Sequence, residues 1–171
     1  MATLSFSRPQ FEQADPLAHM PCSSILDYRK GELVYNENQP SISIYLVIAG
    51  KVKVTRRAHH GRLVLADIYR PEEFFGESAF LRLPRCSEQA RAIESTRLMS
   101  WTTEQIEETI RKRPELAIAL LQLQSQRMIE YGRRIESSLL EKTEQRLVRS
   151  LIRFSERLGT PRVMSWFTPS A

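Results

Sequence analysis

Ile44-Tyr45-Leu46-Val47-Ile48-Ala49-Gly50-Lys51-Val52-Lys53-Val54 decides the fold class. Its first six residues form an apolar run, strand-sized and rich in β-branched and aromatic side chains. Gly50 breaks the run. Val52 and Val54 then alternate with Lys51 and Lys53, the period-2 signature of a strand with one buried face.

The same texture extends in both directions. Upstream, Leu33, Val34 and Tyr35 follow a turn at Lys30–Gly31. Downstream, His59-His60-Gly61 reads as a turn, and Leu63, Leu65 and Ile68 start another strand. Ala90 to Ile93 and Leu98 to Trp101 supply two more. Many short strands between turns, from Ser24 to about Thr102, predict a barrel or jelly roll. Before it, Met1 to Ser23 contains Pro9, Pro16 and Pro21 and no sustained periodicity. It reads as an irregular arm with a short helical turn.

The period changes at Thr102. Thr103 is the expected N-cap of a helix whose Ile106 and Ile110 share a face, and Pro114 suits the first turn of the next helix. From Glu115 to Leu158 there is no proline and only one glycine, with a break expected near Glu141–Thr143. Ile118, Leu121, Ser125, Met128, Gly132, Ile135 and Leu139 follow one another at intervals of three and four. That is a heptad seam, and it predicts burial against a partner helix. Ser125 and Gly132 are small enough to let two helices approach closely. Glu130 and Arg134 form an i,i+4 pair placed outside the seam. A helix packed only on its own domain is the alternative. A second stripe, Leu147, Leu151, Phe154 and Leu158, ends at Gly159 and Pro161. The apolar tail around Trp166-Phe167 leads to the expectation that the natural chain continues. The resulting division is an arm at 1–23, a barrel at 24–112, a long helix at 113–141, a further helix at 142–159 and a tail at 160–171.

Composition narrows the function classes. The 171 residues carry a formal charge of +5, compatible with a nucleic-acid partner without demanding one. No run approaches the roughly 18 apolar residues of a membrane helix. Met1 to Gln13 lacks the apolar stretch of a signal peptide, so a cytoplasmic location is expected. Cys22 and Cys86 are far apart and form no CxxC pair, which argues against a disulfide, an iron–sulfur cluster or structural zinc. His59 and His60 at a turn and His19 in the arm give no haem signal and no metal cluster. There is no nucleophile–base–acid set, HExxH or phosphate-binding loop, so no catalytic residue is assigned. Glu72-Glu73, after Pro71, reads as a solvated turn.

Lys30-Gly31-Glu32, the run Ile44 to Gly50 with Val52 and Val54, Phe75-Gly76-Glu77 and Arg91-Ala92 occur in order ahead of the long helix. This succession, from about Ser24 to Gly159, resembles the Crp/Fnr family (cyclic AMP receptor and fumarate–nitrate regulator). The resemblance implies a mainly β fold with α: a double-stranded β-helix, or jelly roll, of the cyclic-nucleotide-binding type, followed by a long dimerisation helix. It also implies a homodimer and a winged helix-turn-helix that reads DNA, beginning shortly after Gly159.

In nucleotide-binding members a short helix begins at the Gly-Glu, with its N–H groups toward the phosphate. The Glu bonds the ribose, and an Arg nine residues later, followed by Ser or Thr, pairs with the phosphate. Here Gly76, Glu77 and Ser78 fit, but position nine is Cys86. Ser87 fits; Glu88 follows and would repel an anion. Arg85 lies one residue early, on the opposite strand face. Tyr131-Gly132 stands where the adenine-contacting Thr-Ser pair belongs. The candidate ligand set is therefore Gly76, Glu77, Ser78, Arg85, Cys86, Ser87 and Tyr131. Cyclic AMP is disfavoured and the effector is left open. Cys86 beside Arg85 could be a redox thiol, though a small buried hydrophobe is the favoured reading. Two rivals remain: a stand-alone ligand-binding or interaction module without DNA-binding activity, and a cupin-like enzyme, which would need a His/Glu metal cluster.

Overall fold

The structure, a computed structural model, describes residues 15–21, 23–58, 61–140 and 143–159, the side chain of Ser138 excepted. The expectations placed on Cys22, on the His59-His60 turn, on Glu141 and on the tail lie outside these residues.

Among the described residues eight strands follow in order: β1 (Ser24–Tyr28), β2 (Leu33–Tyr35), β3 (Ser43–Ala49), β4 (Val52–Arg57), β5 (Leu63–Tyr69), β6 (Phe74–Phe75), β7 (Glu88–Ala92) and β8 (Thr96–Thr102). They form two antiparallel four-stranded sheets, ordered β1-β8-β3-β6 and β2-β7-β4-β5, the expected jelly roll. The deciding stretch is an unbroken apolar run because β3 is covered on both faces. Val47 enters the barrel core with Tyr35, Val52, Val54, Tyr69, Phe75, Cys86, Ala90 and Leu98. Ile44 and Leu46 point the other way, into a second core with Phe74, Trp101, Ile106 and Leu116. β4 has one strongly buried face, with Val52 and Val54 inside, so it alternates. A register shift between Val54 and Thr55 sets Asp67 and Leu65 against consecutive residues of β4, a bulge at Ala66. The bulge keeps Leu63 and Ile68 on one face, opposite Arg57 and Lys53, but Leu63 lies exposed at the start of β5 while Ile68 is buried.

Trp101 is 1% exposed and donates its indole N–H to the Pro21 carbonyl at 2.9 Å, pinning the arm to the second core. The arm's helical turn is a 3-10 turn, Pro16–His19, capped by Asp15.

Three helices follow: α1 (Thr103–Lys112), α2 (Glu115–Leu140) and α3 (Thr143–Leu158). The N-cap of α1 is Thr102 rather than Thr103. Its hydroxyl accepts from the Gln105 N–H while the Gln105 side chain accepts from the Thr102 N–H. Gln at N3 makes Thr102 the residue that completes a capping box, whereas Thr103 is buried. α2 keeps the two sides of its heptad pattern apart. Leu116, Ala119, Leu120 and Leu123 face the second core or its margin. The seam points away: Ile118 is 57% exposed, Met128 72% and Leu139 77%, and Leu121, Ser125, Gly132 and Ile135 are exposed too. α3 returns to the barrel, where Arg157 binds both Glu73 carboxylate oxygens at 2.5 and 2.6 Å and the Ile68 carbonyl at 3.2 Å. Two sequence readings are corrected here. Glu73 is not part of a solvated turn but anchors α3. Arg134, besides lying 3.9 Å from Glu130, turns inward to Asp67 at 3.0 Å.

Candidate functional site

β6 ends at Gly76, where φ is +88°. A Cβ there would lie 2.9 Å from the Ser43 carbonyl oxygen and 3.1 Å from the Tyr45 ring, so only glycine lets the chain turn this tightly against β3. The 3-10 turn Glu77–Leu81 follows, with Ala79 buried beneath it.

The Glu77 carboxylate does not stand alone. Arg127 of α2 donates to it at 3.0 Å, donates a second bond to the Phe74 carbonyl, and lies over the Tyr69 ring, 5.2 Å from its centroid. Burial works to lower the Arg127 pKa, but Glu77 and Tyr69 outweigh it and hold the guanidinium above the ordinary arginine value. Burial, then the negative charge of Glu77, pushes the Tyr69 hydroxyl up. One guanidinium thus ties the cassette, the barrel core and the long helix together. Composition and spacing did not single out Arg127. The available signal was its position four residues before Tyr131, on the barrel side of the heptad.

Behind this link the barrel is packed with rings. Phe75 stacks on Tyr45 at 5.1 Å and Tyr69 at 5.2 Å, and Tyr35 stacks on Tyr45 at 5.9 Å. The Tyr35 hydroxyl is buried with no hydrogen-bond partner, and its pKa is driven far up by burial and then by Glu88 and Cys86.

The remaining cassette residues alternate in burial on the approach to β7. Cys86 and Glu88 are buried; Arg85 and Ser87 are exposed. The Cys86 N–H donates to the Gln39 carbonyl at 3.0 Å, and its sulfur lies 3.7 Å from the Ser78 hydroxyl. Glu88 pairs with Arg56 at 3.3 Å. Arg85 and Ser87, with an edge of Cys86, border an open hollow of about 420 Å³ beside Glu37 and Arg57. The structure therefore brings Gly76, Glu77, Ser78 and Cys86 together and turns Arg85 and Ser87 away. Tyr131 sits under the Arg134 guanidinium at 5.1 Å and shares a cleft of about 130 Å³ with Tyr69, Arg127 and Asp67. Among the described residues no group of His, Cys, Asp or Glu could hold a metal ion, and no helix is long and apolar enough to cross a membrane.

The Arg127–Glu77 link has a measurable weight. Replacing Arg127 by Gln is expected to cost about 1.5–3 kcal/mol, the usual range for a hydrogen bond to a charged group. Urea denaturation of R127Q, E77Q and the double variant checks it: the double variant should be less destabilised than the two single losses added together.

Residues 25–113, more than half of the chain, match the family model described as cyclic nucleotide-binding domain. The "CRP-like cAMP-activated global transcriptional regulator" of Mycobacterium tuberculosis is 32% identical over 136 residues, which are 79% of this chain and 60% of that one. The "Global nitrogen regulator" of Synechococcus elongatus is 27% identical over 139 residues, 80% of this chain and 63% of that one. The chain thus spans about three fifths of the length of these curated relatives. The crystal structure of the Thermus thermophilus catabolite activator protein superimposes with a TM-score of 0.62 at 26% identity, covering 85% of this chain and 66% of that one. With the barrel, the cassette and the long helix in order, the chain belongs to the cyclic nucleotide-binding domain family, in its Crp/Fnr branch.

Proposed function

We propose that this chain is the effector-sensing and dimerising part of a cytoplasmic, DNA-binding transcription regulator that does not respond to ordinary cyclic AMP. The observation that carries the reading is Arg127. It joins the cassette at Glu77 to α2, whose opposite face carries the exposed seam from Ile118 to Leu139. A molecule that competes for Glu77 would loosen or re-aim α2. Two helices paired through the seam would pass that change to DNA-reading domains of the winged helix-turn-helix type outside these residues, as a population shift between two arrangements.

The choice of effector follows from charge. Buried Cys86 replaces the arginine that would pair with a phosphate, and buried Glu88 adds a carboxylate nearby. Titration calorimetry with cyclic AMP and cyclic GMP is expected to show no saturable binding in the micromolar range. The pair of changes Cys86→Arg and Glu88→Ala should create cyclic AMP binding. Micromolar binding by the unaltered chain would overturn this assignment of effector, whatever its dimerisation.

A further inference from the structure

Away from the barrel interior, α2 and α3 enclose a cleft of about 230 Å³. Five arginines line it, Arg133 and Arg134 from α2 and Arg146, Arg149 and Arg153 from α3, together with two serines. Among the described residues no carboxylate lines it. Guanidinium groups that converge on a cleft attract an anion placed between them.

Both walls are held from below. Arg134 ties the α2 wall to Asp67 at 3.0 Å, and Arg157, one turn beyond Arg153, ties the α3 wall to Glu73. Those two ion pairs occupy Arg134 and Arg157 and fix both walls against the barrel, and a site held in place lowers the cost of binding. Arg153 lies over the neighbouring Phe154 ring, 5.9 Å from its centroid. α3 also turns this arginine-bearing side toward α2 while Leu147, Leu151 and Leu158 face outward. The polar side of the helix is therefore the one that faces α2, with Arg146 and Arg149 open to solvent.

Guanidinium forks match phosphate oxygens in pairs. The volume is below the ~300–1,000 Å³ of sites that enclose whole drug-sized molecules. It suits a chain of phosphates rather than a base and sugar. A duplex distributes its charge along a rod and offers a notch of this size few phosphates at once. We propose that the α2–α3 cleft binds a short polyphosphate group, either as the free anion or as the tail of a nucleotide.

The test is calorimetric titration of the 171-residue chain with sodium tripolyphosphate, with ATP and with a 20-base-pair duplex. Tripolyphosphate should bind once per chain and weaken as salt is raised. ATP binding equally well identifies the phosphate chain alone as the ligand; ATP binding at least about tenfold tighter identifies a nucleotide. Changing Arg146 and Arg153 together to Gln should weaken tripolyphosphate at least about tenfold. Changing Arg29 and Arg62 together to Gln, which removes the same charge elsewhere, should leave binding intact. Circular dichroism confirms that both double variants fold. Absence of tripolyphosphate binding overturns the proposal, as does an equal loss in the two double variants. A duplex that binds where tripolyphosphate does not would overturn it in favour of a nucleic-acid backbone.

Discussion

Gly50→Ala is expected to destabilise the barrel by about 2–6 kcal/mol, out of a total of the order of 5–15 kcal/mol for a domain of this size. Gly50 turns the chain from β3 into β4 with φ at +81°. A Cβ there would lie 2.3 Å from the Ser95 carbonyl oxygen and 2.7 Å from the Thr96 Cα. Both are backbone atoms of the tight connection between β7 and β8, so no rotamer change can relieve the overlap. Relief would require the two connections to separate, which would strain the bonds of Thr96 to the Lys51 backbone. Gly31→Ala is the control. Gly31 also has positive φ, at +91°, but nothing lies within 4 Å of an added Cβ. It should show only the conformational cost, about 1–2 kcal/mol. Urea midpoints of the two variants decide the matter: equal losses would mean that crowding at Gly50 is unimportant.

Met128→Lys combined with Ile135→Lys is expected to convert a dimer into a monomer. Both side chains are exposed in the single chain, so the fold itself has little to lose. In a symmetric pair of helices each change appears twice. Burying an apolar side chain of this size is worth about 1.5–3 kcal/mol, so four lost side chains amount to about 6–12 kcal/mol, on the order of 10⁴-fold or more in dissociation constant. Light scattering at micromolar concentration should give a dimer for the unaltered chain and a monomer for the variant, with unchanged circular dichroism. A monomeric unaltered chain would remove the seam from the account of function.

The barrel could be read from the sequence because strand patterning reports burial directly: the unbroken apolar run marks β3, and the alternation of Val52 and Val54 with Lys51 and Lys53 marks β4. Elements specified by only a few residues were harder to see. β6 is two phenylalanines long, and its pairing to β3 is made by the surrounding sheet. The candidate site was legible where parity sufficed. Cys86 and Arg85, adjacent in sequence, were expected on opposite faces, and one is buried while the other is exposed. It was illegible where the partners are distant. Arg127 reaches Glu77 across 50 positions, and Arg157 reaches Glu73 across 84. No local pattern records which arginine of a basic helix will meet a carboxylate on a turn. Glu73 read as part of a solvated turn and Arg134 as an outside charge, Arg157 drew no reading, and their meeting beside Asp67 depends on how α2 and α3 return to the barrel.

β3 serves as a partition wall, with tenants on either side who cannot renovate separately. A change at Tyr45 or Val47 is felt in the chamber of stacked rings, and a change at Ile44 or Leu46 on the platform that seats the helices. Each residue touches one side, yet all share one backbone, so a shift of the strand that widens the chamber must also tilt the platform. Lineages that acquire a bulkier effector would then be expected to carry compensating changes on the even-numbered side of this wall as well as the odd.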